Sequence, residues 1–206
     1  MVDFQSRETQ RGPLTDDEPD DEPSDDGRSA EQTDETRTQE SAEADVERGV
    51  AVITVDVDAS AESDGSASDA VVSAIERVGW TVVERETIDA SYDAVQSALD
   101  RLLNRRGVAA IVTVGGVGVG PADVTVEAAD PLLEKRLPGF GELFRVQYFD
   151  RAGPTVVGMR PVAGVADGVP VFCLPGDTEP ARFAVDTILA ETLDSLVEAA
   201  SGSGSA

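Results

Sequence analysis

The sequence predicts an α/β fold in which helices cover both faces of a mostly parallel β-sheet, a three-layer αβα arrangement. Between residues 49 and 114, apolar runs rich in β-branched residues alternate with segments whose apolar residues have helical spacing. The connections are short, and the third apolar run leads directly into glycines. Strands that alternate with helices in this way form parallel sheets, and ligands bind in the crevice at the carboxyl ends of their strands.

The amino-terminal half of this domain has a βαβαβ pattern. The run at 49–55 is continuously apolar, which suits a strand buried on both faces, and 67–78 has helical spacing with Gly79 placed to end the helix. We predict the next elements in order as a strand at 80–88, a helix at 93–103 and a strand at 108–114.

Shorter elements are predicted in the carboxyl-terminal half. Segments 126–133 and 141–148 have the pattern of short helices around a break at Pro138, and the apolar runs at 155–159 and 169–174 are typical of strands. A long closing helix over 180–199 follows Glu179, whose carboxylate would lie near its positive end.

The chain divides by composition into three parts. Residues 1–48 carry 17 acidic and 5 basic residues with scarcely an apolar residue after Leu14, so we predict a disordered acidic tail that solvates the protein or, as an alternative, recruits a partner. Residues 49–200 form the folded domain, and 201–206 are a flexible Ser/Gly tail.

The charge balance limits the partners. With 41 acidic against 16 basic residues the net charge is -25, which predicts a halophilic protein whose self-repulsion is screened by salt. Such a surface would be repelled by nucleic acid and by anionic membranes. No signal peptide or spanning segment is evident, so we expect a cytoplasmic location.

Cysteine and histidine counts limit the chemistry. Cys173 is the only cysteine and the chain has no histidine, which excludes an intramolecular disulfide, a Cys/His zinc site and a histidine-based triad. Catalysis would depend on carboxylates, hydroxyls, arginines, backbone amides or a bound metal. Cys173 lies in an apolar strand, where we expect it to pack in the core.

The segment 113–125, T-V-G-G-V-G-V-G-P-A-D-V-T, is the strongest candidate for a binding site. It follows a buried strand and precedes a helix, and its glycines let backbone amides approach an anion closely. The alternative is a tight strand-to-helix turn without a ligand. Asp123 could orient a magnesium ion or accept a proton, or it could simply cap the following helix.

Four segments resemble motifs of the MoaB/Mog family of molybdenum-cofactor biosynthesis proteins. The glycine segment with D-V-T and E-A is similar to the family's T-T-G-G-T-G-x-x-x-x-D-V-T-P-E-A, and P-G-F-G-E-L-F-R at 138–145 matches P-G-F-G-E-x-F-R. R-P-V-A-G-V at 160–165 and L-P-G-D at 174–177 follow in the family's order, and the resemblance spans roughly residues 49–198.

The resemblance implies a three-layer domain that assembles as a homotrimer or a hexamer. It implies that the protein binds molybdopterin and ATP, with Mg²⁺ as cofactor, and transfers the adenylyl group to molybdopterin. Asp123 would be the catalytic or metal-orienting acid. The other implied contacts to substrate and phosphate are Gly115, Gly116, Gly118, Glu142, Arg160, Pro175, Gly176 and Arg182.

Departures from the family pattern leave alternatives open. Hydrocarbon replaces two threonines at Val114 and Val117, Ala122 replaces an arginine, Val126 replaces a proline and Asp177 replaces a serine. Each lost hydroxyl would remove a charged hydrogen bond worth about 1.5–3 kcal/mol.

A second catalytic aspartate of the family aligns with Ser91, so Asp89 or Asp93 would have to take its role. Three hypotheses follow: an adenylyltransferase, an inactive molybdopterin-binding paralogue, or a trimeric scaffold.

Overall fold

Six strands form one sheet in the computed structural model of the protein, which describes residues 49–57 and 66–202. In chain order they are β1 (Gly49–Asp56), β2 (Thr81–Asp89), β3 (Ala110–Val114), β4 (Lys135–Arg136), β5 (Val162–Ala166) and β6 (Val169–Leu174). Across the sheet the order is β2-β1-β3-β6-β5-β4. The first four of these neighbours pair in parallel, whereas β5 runs antiparallel to β6 and β4, so the predicted mostly parallel sheet is confirmed.

Helices connect the strands and close the chain. They are α1 (Ser66–Arg77), α2 (Tyr92–Leu103), α3 (Thr125–Ala129), α4 (Pro138–Ala152), α5 (Thr178–Ala184) and α6 (Ala190–Ser201). A π-helical segment, Val185–Leu189, joins the last two, and short 3₁₀ helices follow α3 and α4 at Asp130–Leu132 and Gly153–Gly158.

The two faces of the sheet are buried under different helices, which confirms the three-layer prediction. Helices α1, α4, α5 and α6 pack on one face, where Val52 and Phe172 are fully buried. Helices α2 and α3 pack on the other face with Ile53 and Cys173. Successive strand residues point to opposite faces, so continuously apolar strands are needed to fill both cores.

The predicted strand at 155–159 is wrong. This segment lies in the 3₁₀ helix Gly153–Gly158, where Pro154 has no amide hydrogen for a ladder and Val157 is 82% exposed. The strand of this region is instead β5, which pairs with β6 through a two-residue turn at Asp167 and Gly168, both with positive φ.

Helix boundaries also differ from the predictions. The break expected at Pro138 is instead the first position of α4, where proline is favoured because its missing amide hydrogen has no intrahelical partner. The closing helix begins at Thr178 and is divided by the π-helical segment.

The predicted acidic tail and residues 203–206 lie outside the described residues. Within the described ranges, no helix is both long enough and apolar enough to cross a bilayer.

Candidate functional site

A cleft of about 400 Å³ lies at the carboxyl ends of β1 and β3. Strand β2 lies on one side of β1 and β3 on the other, so the chain order reverses here, which is where ligands bind in open α/β sheets. We call it the glycine-turn cleft. Its lining residues are Thr54, Val55, Asp56, Val57, Ser66, Ala67, Ser68, Val114, Gly115, Gly116, Gly176, Asp177 and Thr178.

Two glycines give the floor of this cleft its shape. Gly115 has φ 107° and Gly116 has φ 69°, a region that other residues rarely adopt. A Cβ on Gly115 would stand 2.4 Å from the carbonyl oxygen of Val55, and one on Gly116 would stand 2.1 Å from the Thr125 hydroxyl. Both positions therefore require glycine.

Hydrogen bonds fix this turn and occupy one of its two glycine amides. The Gly115 amide donates to the Leu174 carbonyl at 3.0 Å, and the Thr125 hydroxyl donates to the Gly115 carbonyl at 2.8 Å. The Thr125 amide donates to the carbonyl of Gly116 at 3.0 Å. The Gly116 amide has no acceptor within the part of the chain that the structure describes, so it is the amide of this pair that a ligand could use.

The cleft lining also includes a serine whose hydroxyl is buried. Ser68, in the first turn of α1, is 1% exposed, and its hydroxyl has no hydrogen-bond partner among the described residues. Burying a hydroxyl without a partner costs about 1–3 kcal/mol, which a ligand oxygen would recover. Motif reasoning did not find Ser68, because its unpartnered state depends on how α1 packs.

The second glycine motif closes the cleft from β6. Gly176 lines it, and a Cβ there would stand 3.2 Å from the Gly115 Cα atom, so the two turns are in close contact. Pro175 is buried behind Gly176 rather than lining the cleft itself. Asp56 and Asp177 are the carboxylates of the lining, and Asp56 had not been singled out from the sequence.

The loop after the glycines, residues 117–124, is held by Arg160. The Arg160 guanidinium donates to the carbonyls of Gly118 at 2.6 Å and Asp123 at 3.1 Å, and it pairs with Glu127. The Arg160 amide also donates to the Val117 carbonyl at 2.9 Å.

Arg160, predicted to bind substrate anions, therefore has its donors engaged within the protein. The hydrogen bond from Arg160 lowers the pKa of Glu127, and the same bond raises the pKa of Arg160.

Asp123 also serves this loop. Its carboxylate accepts a hydrogen bond from the Gly120 amide at 2.7 Å, and a Cβ on Gly118 would stand 2.6 Å from the same oxygen. The alternative that Asp123 caps α3 is wrong, because the N-cap residue is Val124 and no side chain caps this helix. Neither Asp123 nor Gly118 is among the residues that line the glycine-turn cleft.

The two candidates for a second aspartate lie at the end of β2 and the start of α2. Asp89 is the register partner of Asp56, which places it at the edge where the cleft opens. Asp93 is in the first turn of α2, and Ser91 is the N-cap, accepting from the Ala94 amide at 3.2 Å. Of the two aspartates, Asp89 is the one whose strand borders a lining strand.

A second cleft, of about 240 Å³, contains other predicted residues. We call it the arginine cleft; it is lined by Asp130, Leu133, Arg136, Leu137, Pro138, Gly141, Glu142, Arg145, Arg160, Pro161, Val162 and Ala163. Glu142 and Arg160 thus share this cleft rather than the glycine turn.

Arg182 lines neither cleft and pairs with Asp186, which also binds Arg77. Burial opposes ionisation of Asp186, but hydrogen bonds from both arginines outweigh it and lower its pKa.

The carboxylates of the described residues limit how the protein could hold magnesium. No group of three or more Asp, Glu or Cys side chains is placed to hold a metal in residues 49–57 and 66–202. Mg²⁺ on nucleotide phosphates needs only one or two carboxylates, since phosphate and water supply the other oxygens. Asp56 and Asp177 fit that requirement better than Asp123, because they line the cleft.

Comparison with known proteins shows which family and which structures the chain resembles. Residues 51–195 match the model of a family described as "Probable molybdopterin binding domain". Molybdenum cofactor biosynthesis protein B of Staphylococcus epidermidis is 42% identical over 88 residues, which is 42% of this chain and half of the relative. The protein of the same name from Escherichia coli K12 is 29% identical over 145 residues, 70% of this chain and 85% of the relative.

A solved structure has the same fold. The tungsten cofactor synthesizing protein MoaB of Pyrococcus furiosus superposes with a TM-score of 0.68 at 26% identity, and the match covers 74% of this chain and 96% of that protein.

Proposed function

The chain belongs to the family of molybdopterin binding domains, and on that basis we propose that it acts in molybdenum-cofactor biosynthesis by binding molybdopterin in the glycine-turn cleft. We further propose that it binds ATP there and transfers the adenylyl group to molybdopterin. The curated relatives named above support the pathway, and the position of the cleft at the reversal of strand order supports the site.

The observation that carries this proposal is a pair of unpartnered donors on two residues of the cleft lining. Gly116 and Ser68 are both among the residues that line the cleft, and neither the Gly116 amide nor the Ser68 hydroxyl has a hydrogen-bond partner in the described structure. A phosphate oxygen accepts well from both, and each bond to a charged acceptor is worth about 1.5–3 kcal/mol. The protein has a net charge of -25, and no arginine or lysine is among the described residues that line this cleft. Neutral donors would therefore have to bind the anion.

The proposed reaction is the transfer of an adenylyl group from ATP. An oxygen of the terminal phosphate of molybdopterin attacks the α-phosphorus of ATP, a new P–O bond forms, and the bond to the β-phosphate oxygen breaks with release of pyrophosphate. Bound Mg²⁺ would neutralise charge on the phosphates, held by Asp56 and Asp177. The protein would contribute mainly by orienting the two reactants and by hydrogen bonds to their oxygens.

A second candidate function is binding without turnover. The Asp123 carboxylate is bonded to Gly120 in its own loop, which favours a structural role for the residue predicted to be catalytic. Val117 stands at a position where the family has threonine. It is 3% exposed and packs in the core, so the hydroxyl of that threonine has no equivalent in the cleft.

Pyrophosphate release separates the two functions. The purified protein is mixed anaerobically in high salt with molybdopterin, ATP and magnesium, alongside Asp56→Asn, Asp123→Asn and the exposed control Asp150→Asn. The enzyme hypothesis predicts release by the parent chain and the control, and at least tenfold slower release by Asp56→Asn. Molybdopterin binding without release supports the binding protein, whereas neither binding nor release would refute both functions.

Assembly as a homotrimer or hexamer is part of the same proposal. Sedimentation equilibrium in high salt is expected to give three or six times the 21.5 kDa chain mass, and a monomer at all concentrations would contradict it.

A further inference from the structure

One arginine stands apart from the other cations of the folded domain. Of the 16 cations, 5 lie in residues 1–48, which leaves 11, and eight of these pair with carboxylates. Arg106, Lys135 and Arg145 make no ion pair with a described residue. The first two are exposed, whereas Arg145 is partly buried.

The Arg145 side chain occupies a space that a glycine leaves open. Its two terminal nitrogens lie 3.2 and 3.5 Å from the place where a Cβ of Gly141 would stand. The same Cβ would stand 2.5 Å from the carbonyl oxygen of Pro161, so position 141 accepts glycine alone. The guanidinium therefore lies folded over the preceding turn of α4, on the wall of the arginine cleft.

The other two arginines of this cleft are already paired. Arg136 pairs with Asp130, and Arg160 pairs with Glu127. In a chain with 41 acidic residues, the Arg145 guanidinium makes no ion pair or hydrogen bond with any residue in the described ranges. A partly buried cation without a counter-charge is unfavourable, and an external anion would remove that penalty.

The other residues that line the arginine cleft indicate what kind of molecule would bear the anionic group. Leu133, Leu137, Pro138, Pro161 and Val162 supply an apolar wall, and the cleft volume of about 240 Å³ suits a small molecule. Glu142 is the one carboxylate of the lining that forms no ion pair within the described structure, and it could accept a hydrogen bond from the same ligand.

We propose that the arginine cleft binds a small molecule with a carboxylate or phosphate monoester on an apolar or ring-shaped body, and that Arg145 binds the anion through its forked donors. This cleft shares no lining residue with the glycine-turn cleft, so the inference does not depend on the proposed function.

Fluorine NMR tests the proposal with two probes, 4-fluorobenzoate and 4-fluorophenyl phosphate, titrated into the full chain at one fixed KCl concentration. We expect saturable binding of at least one probe, and comparison of the two identifies the preferred anion. Arg145→Gln should weaken binding at least tenfold, and Arg145→Lys, which keeps the charge without the fork, should give an intermediate affinity. The control Arg106→Gln removes an unpaired arginine outside both clefts and should bind like the parent chain.

Three outcomes would overturn the proposal. The first is that neither probe binds saturably, and the second is that Arg145→Gln binds as tightly as the parent chain. The third is that probe binding is lost at the protein concentrations at which sedimentation shows self-association. The last would show that a second copy covers Arg145. Thermal melts of each variant confirm that the chains compared are folded.

Discussion

The φ angle of Gly116 determines the shape of the glycine-turn cleft. This φ of 69° lets the chain turn at the end of β3 and leaves the Thr125 hydroxyl in the space that a side chain would fill. The motif predicted this glycine from the sequence. It could not predict which amide remains available, because the Gly115 amide is taken by Leu174 from a strand about 60 residues away along the chain.

Gly116→Ala is expected to lower the free energy of unfolding by about 1–3 kcal/mol, since it combines backbone strain with a steric clash. Urea denaturation measures the change. The matched control is Gly139→Ala in the first turn of α4, where a Cβ meets no atom within 4 Å and φ is not positive, so stability should be unchanged or higher. Equal effects of the two substitutions would contradict this account.

Cys173 is expected to be unreactive in the folded protein. It is 1% exposed, as predicted for core packing, and burial raises its pKa to about 11 from an ordinary value of 9.0. At pH 8 a disulfide reagent should therefore label the protein only after unfolding in urea.

The sign of the pH effect follows from the raised pKa of Cys173. The neutral thiol is favoured in the folded state, so its contribution to stability is complete below pH 9 and is lost as the pH rises towards 11. Rapid labelling of the folded chain at pH 8 would show that the Cys173 thiol in β6 is accessible. That result would contradict the prediction that this thiol is unreactive in the folded protein.

Among the elements of the fold, the loop between β3 and α3 depends on a residue more than 30 positions further along the chain. Arg160 precedes β5 and binds the carbonyls of Gly118 and Asp123. Sequence reasoning assigned this arginine to substrate because a cation near the site was expected. Its actual partners are backbone groups, which no sequence pattern displays.

Arg160→Gln is expected to lower the free energy of unfolding by about 1–2 kcal/mol and to speed amide exchange in residues 117–124, because two charged hydrogen bonds to a partly exposed loop are lost. Hydrogen exchange followed by mass spectrometry locates the effect. Arg136→Gln is the control, since it breaks an exposed pair with Asp130 that is worth roughly 0–1 kcal/mol and should leave this loop unchanged. Exchange unaltered in both variants would refute the role of Arg160.

The strand β5 was missed for a physical reason. Its sequence, V-A-G-V-A, has weak β propensity, and its stability comes from pairing with β6. The Asp167-Gly168 pair between two apolar runs was the available signal, because a two-residue turn with both φ angles positive favours this dipeptide. The long parallel elements were predicted well because each carries its own apolar period over many residues.

At the scale of the whole molecule, charge is the dominant property. Residues 49–206 carry 24 acidic and 11 basic residues, so the folded domain and its short trailer contribute -13 of the net -25. The eight ion pairs of the described structure involve most of the domain's cations and leave a surplus of carboxylates that repel one another.

Thermal stability should therefore rise with KCl from low ionic strength towards about 1 M, where the Debye length falls to roughly 3 Å. Melting temperatures followed by circular dichroism give the dependence. A melting temperature that stays constant or falls over this range would mean that charge repulsion does not limit the fold.

Binding of the molybdopterin phosphate in the glycine-turn cleft can be measured by anaerobic titration followed by pterin fluorescence. We expect saturable binding that weakens about tenfold or more in Ser68→Ala, since a hydrogen bond to a charged group is worth about 1.5–3 kcal/mol. The control Ser97→Ala, on the exposed face of α2, should bind like the parent chain. No saturable binding, or equal affinity in Ser68→Ala and the parent chain, would mean that Ser68 and the glycine turn do not bind this phosphate.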